Sequence, residues 1–208
     1  MSSYDMKKIV LLSRKSFLAK IQTHIAKIEI NKINKKLIDI HFSSSVGDKD
    51  LSAKAWEQHG FGIFTNSLSK KLVLKEADVV IHSYKDLPVK NLNKTSLVCL
   101  KRDDPRDIIL IKRSSLNKKK LIIGTSSPRR KYYLKKLKEF LPFQELKSIQ
   151  IRGNVPSRLE KVLNTSKEDG LFMAKAAIDR ILKYGQKIDK KEYKNFILNF
   201  VKFEMFIL

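Results

Sequence analysis

Short apolar runs alternate with amphipathic stretches along the whole chain, and this alternation constrains the fold more than any other feature. KIVLLS (8–13) has the length and aliphatic content of a strand. The stretch SFLAKIQTHIAKIEI (16–30) places Phe17, Ile21, Ile25 and Ile28 at helical spacing on one face. LIDIHF (37–42) reads as a second strand, IFTNSLSKKLVLK (63–75) as a helix and ADVVIHS (77–83) as a buried strand. SLVCL, DIILI and LIIGT follow as strands. RRKYYLKKLKEF, PSRLEKVLN and AKAAIDRILKYG follow as helices, with DGLFMA (169–174) a strand between the last two. Strands alternating with helices imply an α/β protein with mostly parallel sheets. The charged, proline-containing KRDDPRD (101–107) is a plausible crossing point between two domains.

Length and composition narrow the class. A chain of 208 residues, 42% of them apolar, holds one large domain or two small ones with real cores. A formal net charge of +23 makes anions the expected partners. Basic residues run throughout the chain, which argues against a disordered nucleic-acid arm. One cysteine, Cys99, excludes a disulfide framework and a thiolate metal cluster, and its place in SLVCL reads as core. His24 and His41 have no neighbour at metal-ligand spacing, and Trp56 reads as packing. The N-terminus has no signal-peptide pattern, and no run approaches the roughly 18 apolar residues of a membrane span. A cytoplasmic protein is the expectation.

Arginine usage carries the functional signal. The 44 basic residues comprise 35 Lys and only 9 Arg, yet Arg129 and Arg130 are adjacent in LIIGTSSPRRKYYLKKL (121–137). They follow a strand end, where ligands bind in open α/β sheets. Gly124 permits a tight turn, while Thr125, Ser126 and Ser127 supply hydroxyls before the first amides of a helix, an arrangement that can cradle an anion. Each guanidinium can grip a carboxylate or phosphate through two parallel hydrogen bonds, which lysine cannot do. The alternative is a helix cap with two solvated arginines. The other arginines also favour loops and helix starts, Arg152 and Arg158 in IRGNVPSR among them. The pattern points to a cleft lined with clamps for a ligand bearing several carboxylates or phosphates. HSYKDLP (82–88) places Lys85 and Asp86 at another strand end. A Lys–Asp neighbour pair is ordinarily a surface pair worth under about 1 kcal/mol. Among so many cations, though, one carboxylate is suited to stabilising a cationic intermediate or holding a ligand N–H.

Seven segments, SRKSFLAKIQ, VGD, HSYKDLP, RDDPRD, GTSSPRR, IRGNV-x-SRL and AAIDRI, occur in this order between about Val10 and Gly185. Together they resemble the hydroxymethylbilane synthase, or porphobilinogen deaminase, family. The resemblance implies a transferase of tetrapyrrole (haem) biosynthesis that joins four porphobilinogen units head to tail with loss of ammonia. It also implies two periplasmic-binding-protein-like lobes with a cleft between them, a dipyrromethane cofactor, no metal and a monomer. On this basis the first lobe comprises residues 1–102 plus 196–208, the second 103–195. Asp86 matches the catalytic aspartate. Arg14, Ser16, Lys85, Arg106, Ser127, Arg129, Arg130, Arg152, Arg158 and Arg180 match positions that bind cofactor and substrate carboxylates, with Ser83, Thr125 and Ser126 beside them.

The chain departs from the family pattern at Phe61 and Glu57, where loop lysines are expected, at Val46, where an arginine is expected, and at Pro128. It ends at FVKFEMFIL. The expectation is therefore a form without the family's third domain and its cofactor-bearing cysteine, which Cys99 does not match. Two other readings stay open: a non-catalytic remnant that binds polycarboxylate pyrroles or other anions, and a nucleic-acid binder favoured by charge alone.

Overall fold

The computed structural model of the chain describes residues 8–34, 36–44, 65–87, 95–137 and 139–208. Val46, Trp56, Glu57, Phe61 and Pro88 lie outside them. The chain divides into two compact units, Met1–Arg102 and Asp103–Leu208.

Among the described residues, the first unit is built on a parallel sheet of order β2-β1-β3, from β1 (Ile9–Arg14), β2 (Ile38–Ser43) and β3 (Val79–Val80). Leu11 and Leu12 of β1 are buried, as expected of a central strand. The helix α1 (Phe17–Ile33) buries Phe17, Ala19, Ile21, Thr23 and Ala26. The apolar spacing had placed Ile28 on that face, but Ile28 is exposed. Thr23 takes a core position instead, since its hydroxyl donates to the Ala19 carbonyl at 2.9 Å and is satisfied within the helix. A second helix, α2 (Asn66–Val73), buries Leu68 against Leu12 and Ala77.

The strand expected over 77–83 is reduced to two paired residues, and SLVCL forms no strand. Leu97, Val98 and Leu100 are exposed, and so is Cys99, which is therefore not the core residue expected. An apolar run needs a ladder partner to become a strand, and this one has none among the described residues.

The second unit is a five-stranded mixed sheet of order β6-β5-β7-β4-β8. Its strands are β4 (Asp107–Lys112), β5 (Lys120–Gly124), β6 (Glu145–Ile149), β7 (Gly170–Ala174) and β8 (Phe203–Ile207). The helices are α3 (Pro128–Leu137), α4 (Val155–Asn164), α5 (Lys175–Ile188) and α6 (Lys190–Phe200). β5 runs parallel to β6 and β7, whereas β4 is antiparallel to both β7 and β8. Ile108, Ile109, Leu110 and Ile111 of β4 are wholly buried, the continuous apolar run of a strand covered on both faces.

Residues 196–208 do not join the first unit. Residues up to Phe200 complete α6, and β8 pairs with β4 from Lys112↔Phe203 to Ile108↔Ile207. Phe206 meets Phe143 edge to face at 6.1 Å, and Phe206 and Leu208 pack on the core of the second unit. Burying these side chains against that core is what holds the segment there. No described helix is long and apolar enough to cross a membrane.

Candidate functional site

In the first unit, parallel pairing brings the ends of β1 and β3 side by side. Arg14 closes β1, and the chain leaving β3 turns through a single 3-10 turn at Tyr84–Asp86. Arg14 Nη1 consequently lies 4.0 Å from Asp86 Oδ2, each side chain about one fifth exposed. Ser83 accepts a hydrogen bond from Gln22 Nε2 at 3.0 Å, which ties this turn to α1. Ser16 is the N-cap residue of α1 but its hydroxyl makes no capping bond. Lys85 is exposed.

His82 adds a feature the motif did not announce. Its Nε2 and the hydroxyl of Ser13 are buried without a hydrogen-bond partner among the described residues. Burial, with the Arg14 charge as the lesser cause, pushes His82 down to about 4. The folded value lies below the ordinary 6.5, so the unfolded chain takes up this proton first as pH falls. The stability contributed by neutral His82 is complete above about pH 6.5 and is lost as pH falls toward 4. Thermal unfolding followed by circular dichroism should therefore show the first unit losing stability across that window. His82→Gln should flatten the slope.

In the second unit the hydroxyls of GTSSPRR serve the turn itself. Thr125 Oγ1 accepts from the Ser127 amide at 3.3 Å, Ser126 donates to the Ile151 carbonyl at 2.5 Å, and Ser127 Oγ accepts from the Arg130 amide at 3.4 Å. The expected amide cradle is correspondingly reduced. Pro128 has no N–H and the Arg130 amide is taken by Ser127, so among the described residues the Arg129 amide is what the first turn leaves. The Ser127 O–H keeps its own proton to donate.

Guanidinium groups dominate what remains. Arg158 is held by α4 and donates from Nε to the Gly153 carbonyl at 2.7 Å, across a turn where Gly153 has φ +122°. Burial, followed by the charges of Arg130 and Arg152, pushes Arg158 below its ordinary value. The charges of Arg130 and Arg152 thus bear on the buried Arg158, and an anion bound beside it would offset them. Several of the clamps, Arg130 among them, are already engaged by carboxylates. Arg106 grips Asp104 through Nε and Nη2, and Lys175 adds a contact to Asp104 at 3.5 Å. The Arg106 contact holds Asp104 well below the usual carboxylate range. Arg180 donates to Asp103 at 2.6 Å. Arg129 and Arg130 both reach Asp107, at 2.7 and 2.8 Å.

The three aspartates of RDDPRD were missed as site residues, because that segment reads as a charged crossing. The available signal was the cluster itself. Three carboxylates within five residues, leading into the apolar run 108–111, are conspicuous in a chain with 21 acidic against 44 basic residues.

These features define an α/β protein whose strand ends carry arginine in quantity, with a few carboxylates placed among them. The chain belongs to the porphobilinogen deaminase family. The family model described as porphobilinogen deaminase, dipyromethane cofactor binding domain, matches residues 9–200. A probable porphobilinogen deaminase of Picrophilus torridus is 36% identical over 195 residues, covering 92% of this chain and 63% of that protein. The porphobilinogen deaminase of Ruminiclostridium cellulolyticum is 35% identical over 178 residues, covering 85% and 59%. That of Synechococcus sp. (strain CC9902) is 35% identical over 188 residues, covering 86% and 57%. The chain thus spans about three fifths of the length of these relatives. Among solved structures, a probable amino-acid ABC transporter extracellular-binding protein of Bacillus subtilis aligns over 85% of this chain and 74% of its own. That pair shares 12% identity at a TM-score of 0.39.

Proposed function

We propose that the chain works as a hydroxymethylbilane synthase, condensing porphobilinogen units head to tail with release of ammonia. The observation that carries this reading is that the first unit holds a strand-end carboxylate, Asp86 beside Arg14, and the second unit holds guanidiniums at Arg130, Arg152 and Arg158. The donor set fits dipyrromethane, whose pyrroles each bear acetate and propionate groups. Guanidiniums are the side chains that take carboxylates in pairs of parallel bonds. When bound, dipyrromethane would supply the pyrrole end to which the first unit is joined. Arg129, Arg130, Arg152 and Arg158 would hold its carboxylates and those of the substrate, with Ser127 donating from its hydroxyl. Arg14, Ser16, Ser83 and Lys85 would do the same around Asp86, and Arg106 and Arg180 from the positions they share with Asp104 and Asp103. Thr125 and Ser126 set the turn that presents Ser127.

Asp86 would carry the chemistry. Departure of ammonia leaves positive charge on the substrate's methylene carbon and pyrrole ring, and a fixed carboxylate stabilises it. Attack by a pyrrole α-carbon forms the new carbon–carbon bond and releases a ring proton, which a carboxylate can accept. The reading includes a cytoplasmic monomer acting on small pyrroles and not on nucleic acid or membranes. Arg158 is buried with the charges of Arg130 and Arg152 close enough to act on it, which supports a compact ligand there.

Porphobilinogen consumption by the purified chain, with and without added dipyrromethane, tests the proposal. Ammonia released in step with substrate lost is the expected result, and no consumption under either condition would end the reading. Arg130→Lys should weaken porphobilinogen binding about tenfold by calorimetry, since charge is kept but the fork is lost. Binding equal to the parent protein would mean that this guanidinium does not clamp the ligand.

A further inference from the structure

Asp107 is the first residue of β4, and its position is fixed by two backbone neighbours. It is paired with Ala174 across the β4–β7 ladder, and its carbonyl accepts from the Leu208 amide at 3.0 Å. Its carboxylate is 10% exposed and receives two arginines in different ways. Arg130 donates both Nε, at 3.2 Å, and Nη2, at 2.8 Å, to the same oxygen, Oδ1. The Arg130 guanidinium also lies 5.8 Å from the centroid of the Phe172 ring and is only 17% exposed. That arrangement fixes the plane of the guanidinium and turns its other edge, Nη1 with the second Nη2 proton, away from Asp107. Arg129 reaches Oδ2 through Nη2 alone, at 2.7 Å, and is 58% exposed. One long, exposed side chain held at a single atom is released at little cost.

We propose that Asp107 is a specificity-determining residue of the arginine cluster, an internal carboxylate that anchors Arg130 and occupies Arg129 against small anions. This rests on the reading that the cluster binds polycarboxylate pyrroles. A lone phosphate or sulfate arriving at the Arg129–Arg130 pair meets a carboxylate already there, fixed to the backbone and carrying no translational entropy to lose. A ligand with several carboxylates draws Arg129 from Asp107 while its other groups engage Arg130, Arg152 and Arg158, and these contacts offset the one displaced. The device discriminates by the number of carboxylates a ligand carries, which charge alone would not do in a chain of net charge +23. Asp107 touches no reacting atom in this account and works through the arginines it holds.

The test is calorimetric titration of the parent chain, Asp107→Asn and Asp107→Glu with inorganic phosphate and, separately, with porphobilinogen. Asp107→Asn should bind phosphate about tenfold more tightly, because one negative charge within contact of two guanidiniums is gone. Its preference for porphobilinogen over phosphate should fall by at least the same factor, and Asp107→Glu should resemble the parent. A gain of phosphate affinity is not what the loss of a purely structural residue produces. Phosphate affinity that stays level or drops in a folded Asp107→Asn would overturn the proposal. Porphobilinogen that fails to bind the parent chain would overturn the functional reading on which it rests, so the two failures are separate. If Asp107→Asn does not fold, the side-chain Nε–H signals of nitrogen-15-labelled arginine in the parent chain decide the matter. Those of Arg129 and Arg130 should hold still under millimolar phosphate, and movement of the pair with phosphate would refute the idea.

Discussion

Asp86→Asn should lower the rate of porphobilinogen consumption by roughly a hundredfold or more while leaving the substrate's KM within a fewfold of the parent value. Asparagine keeps the shape of the side chain and its place in the turn at Tyr84–Asp86, whose backbone bonds from Asp86 to Ser83 and from Leu87 to Tyr84 do not involve the carboxylate. The negative charge is what disappears. In the parent chain that charge lies 4.0 Å from Arg14, a distance too long for a hydrogen bond, so Arg14 does not tie up the carboxylate oxygens. Without it, the Asp86 charge no longer offsets Arg14 where positive charge must develop, and the barrier rises on both counts. The substrate's carboxylates would still be held by the arginines, which is why the loss belongs in kcat. A steady-state assay on folded Asp86→Asn separates the two constants. A kcat within tenfold of the parent value would remove Asp86 from the chemistry.

How far the sequence reveals this architecture depends on what each signal measures. The helices at 128–137, 155–164 and 175–188 and the strand at 170–174 were legible, because apolar spacing reports burial directly. The helix α6 was not, although Asp189 caps it by accepting from the Glu192 amide at 3.0 Å, and Asp189-x-x-Glu192 is a recognisable start signal. The apolar FILNF merges there with VKFEMFIL, and no Gly or Pro marks the boundary between them. Assigning β8 to the wrong unit had another cause. Pairing partners lie far apart in sequence, and nothing in Phe203–Ile207 names β4 as its neighbour. The arginines stood out by their number and placement. Their engagement by Asp103, Asp104 and Asp107 did not, since an ion pair depends on where two side chains meet in space.

Gly170→Ala should be the most damaging single methyl in the second unit, destabilising it by about 3 kcal/mol or more. Gly170 opens β7, the strand between β5 and β4, with Ile123 opposite on one side and Ile111 on the other. A Cβ at this position would land on the Leu110 carbonyl of β4, with the Ile111 Cα at 3.2 Å and Ile123 Cδ1 at 3.2 Å. The first two are backbone atoms of a strand whose residues 108–111 are all wholly buried, so relief requires moving the middle of the sheet. Gly124 provides the contrast within the same unit. A Cβ there meets the Ile151 side chain at 2.9 Å, and a side chain can turn aside. Gly124→Ala should therefore cost clearly less than Gly170→Ala, perturbing the turn that leads to Thr125 without opening the sheet. Urea unfolding of both variants, followed by far-ultraviolet circular dichroism and by tyrosine fluorescence, measures the difference. A domain of this size has only about 5–15 kcal/mol in reserve, so Gly170→Ala should shift the midpoint far enough to leave an appreciable unfolded fraction on mild warming. Equal midpoints for the two alanine variants would mean that β4 and β7 tolerate separation at this point, and that the close approach at Gly170 is not what fixes the register of the central strands.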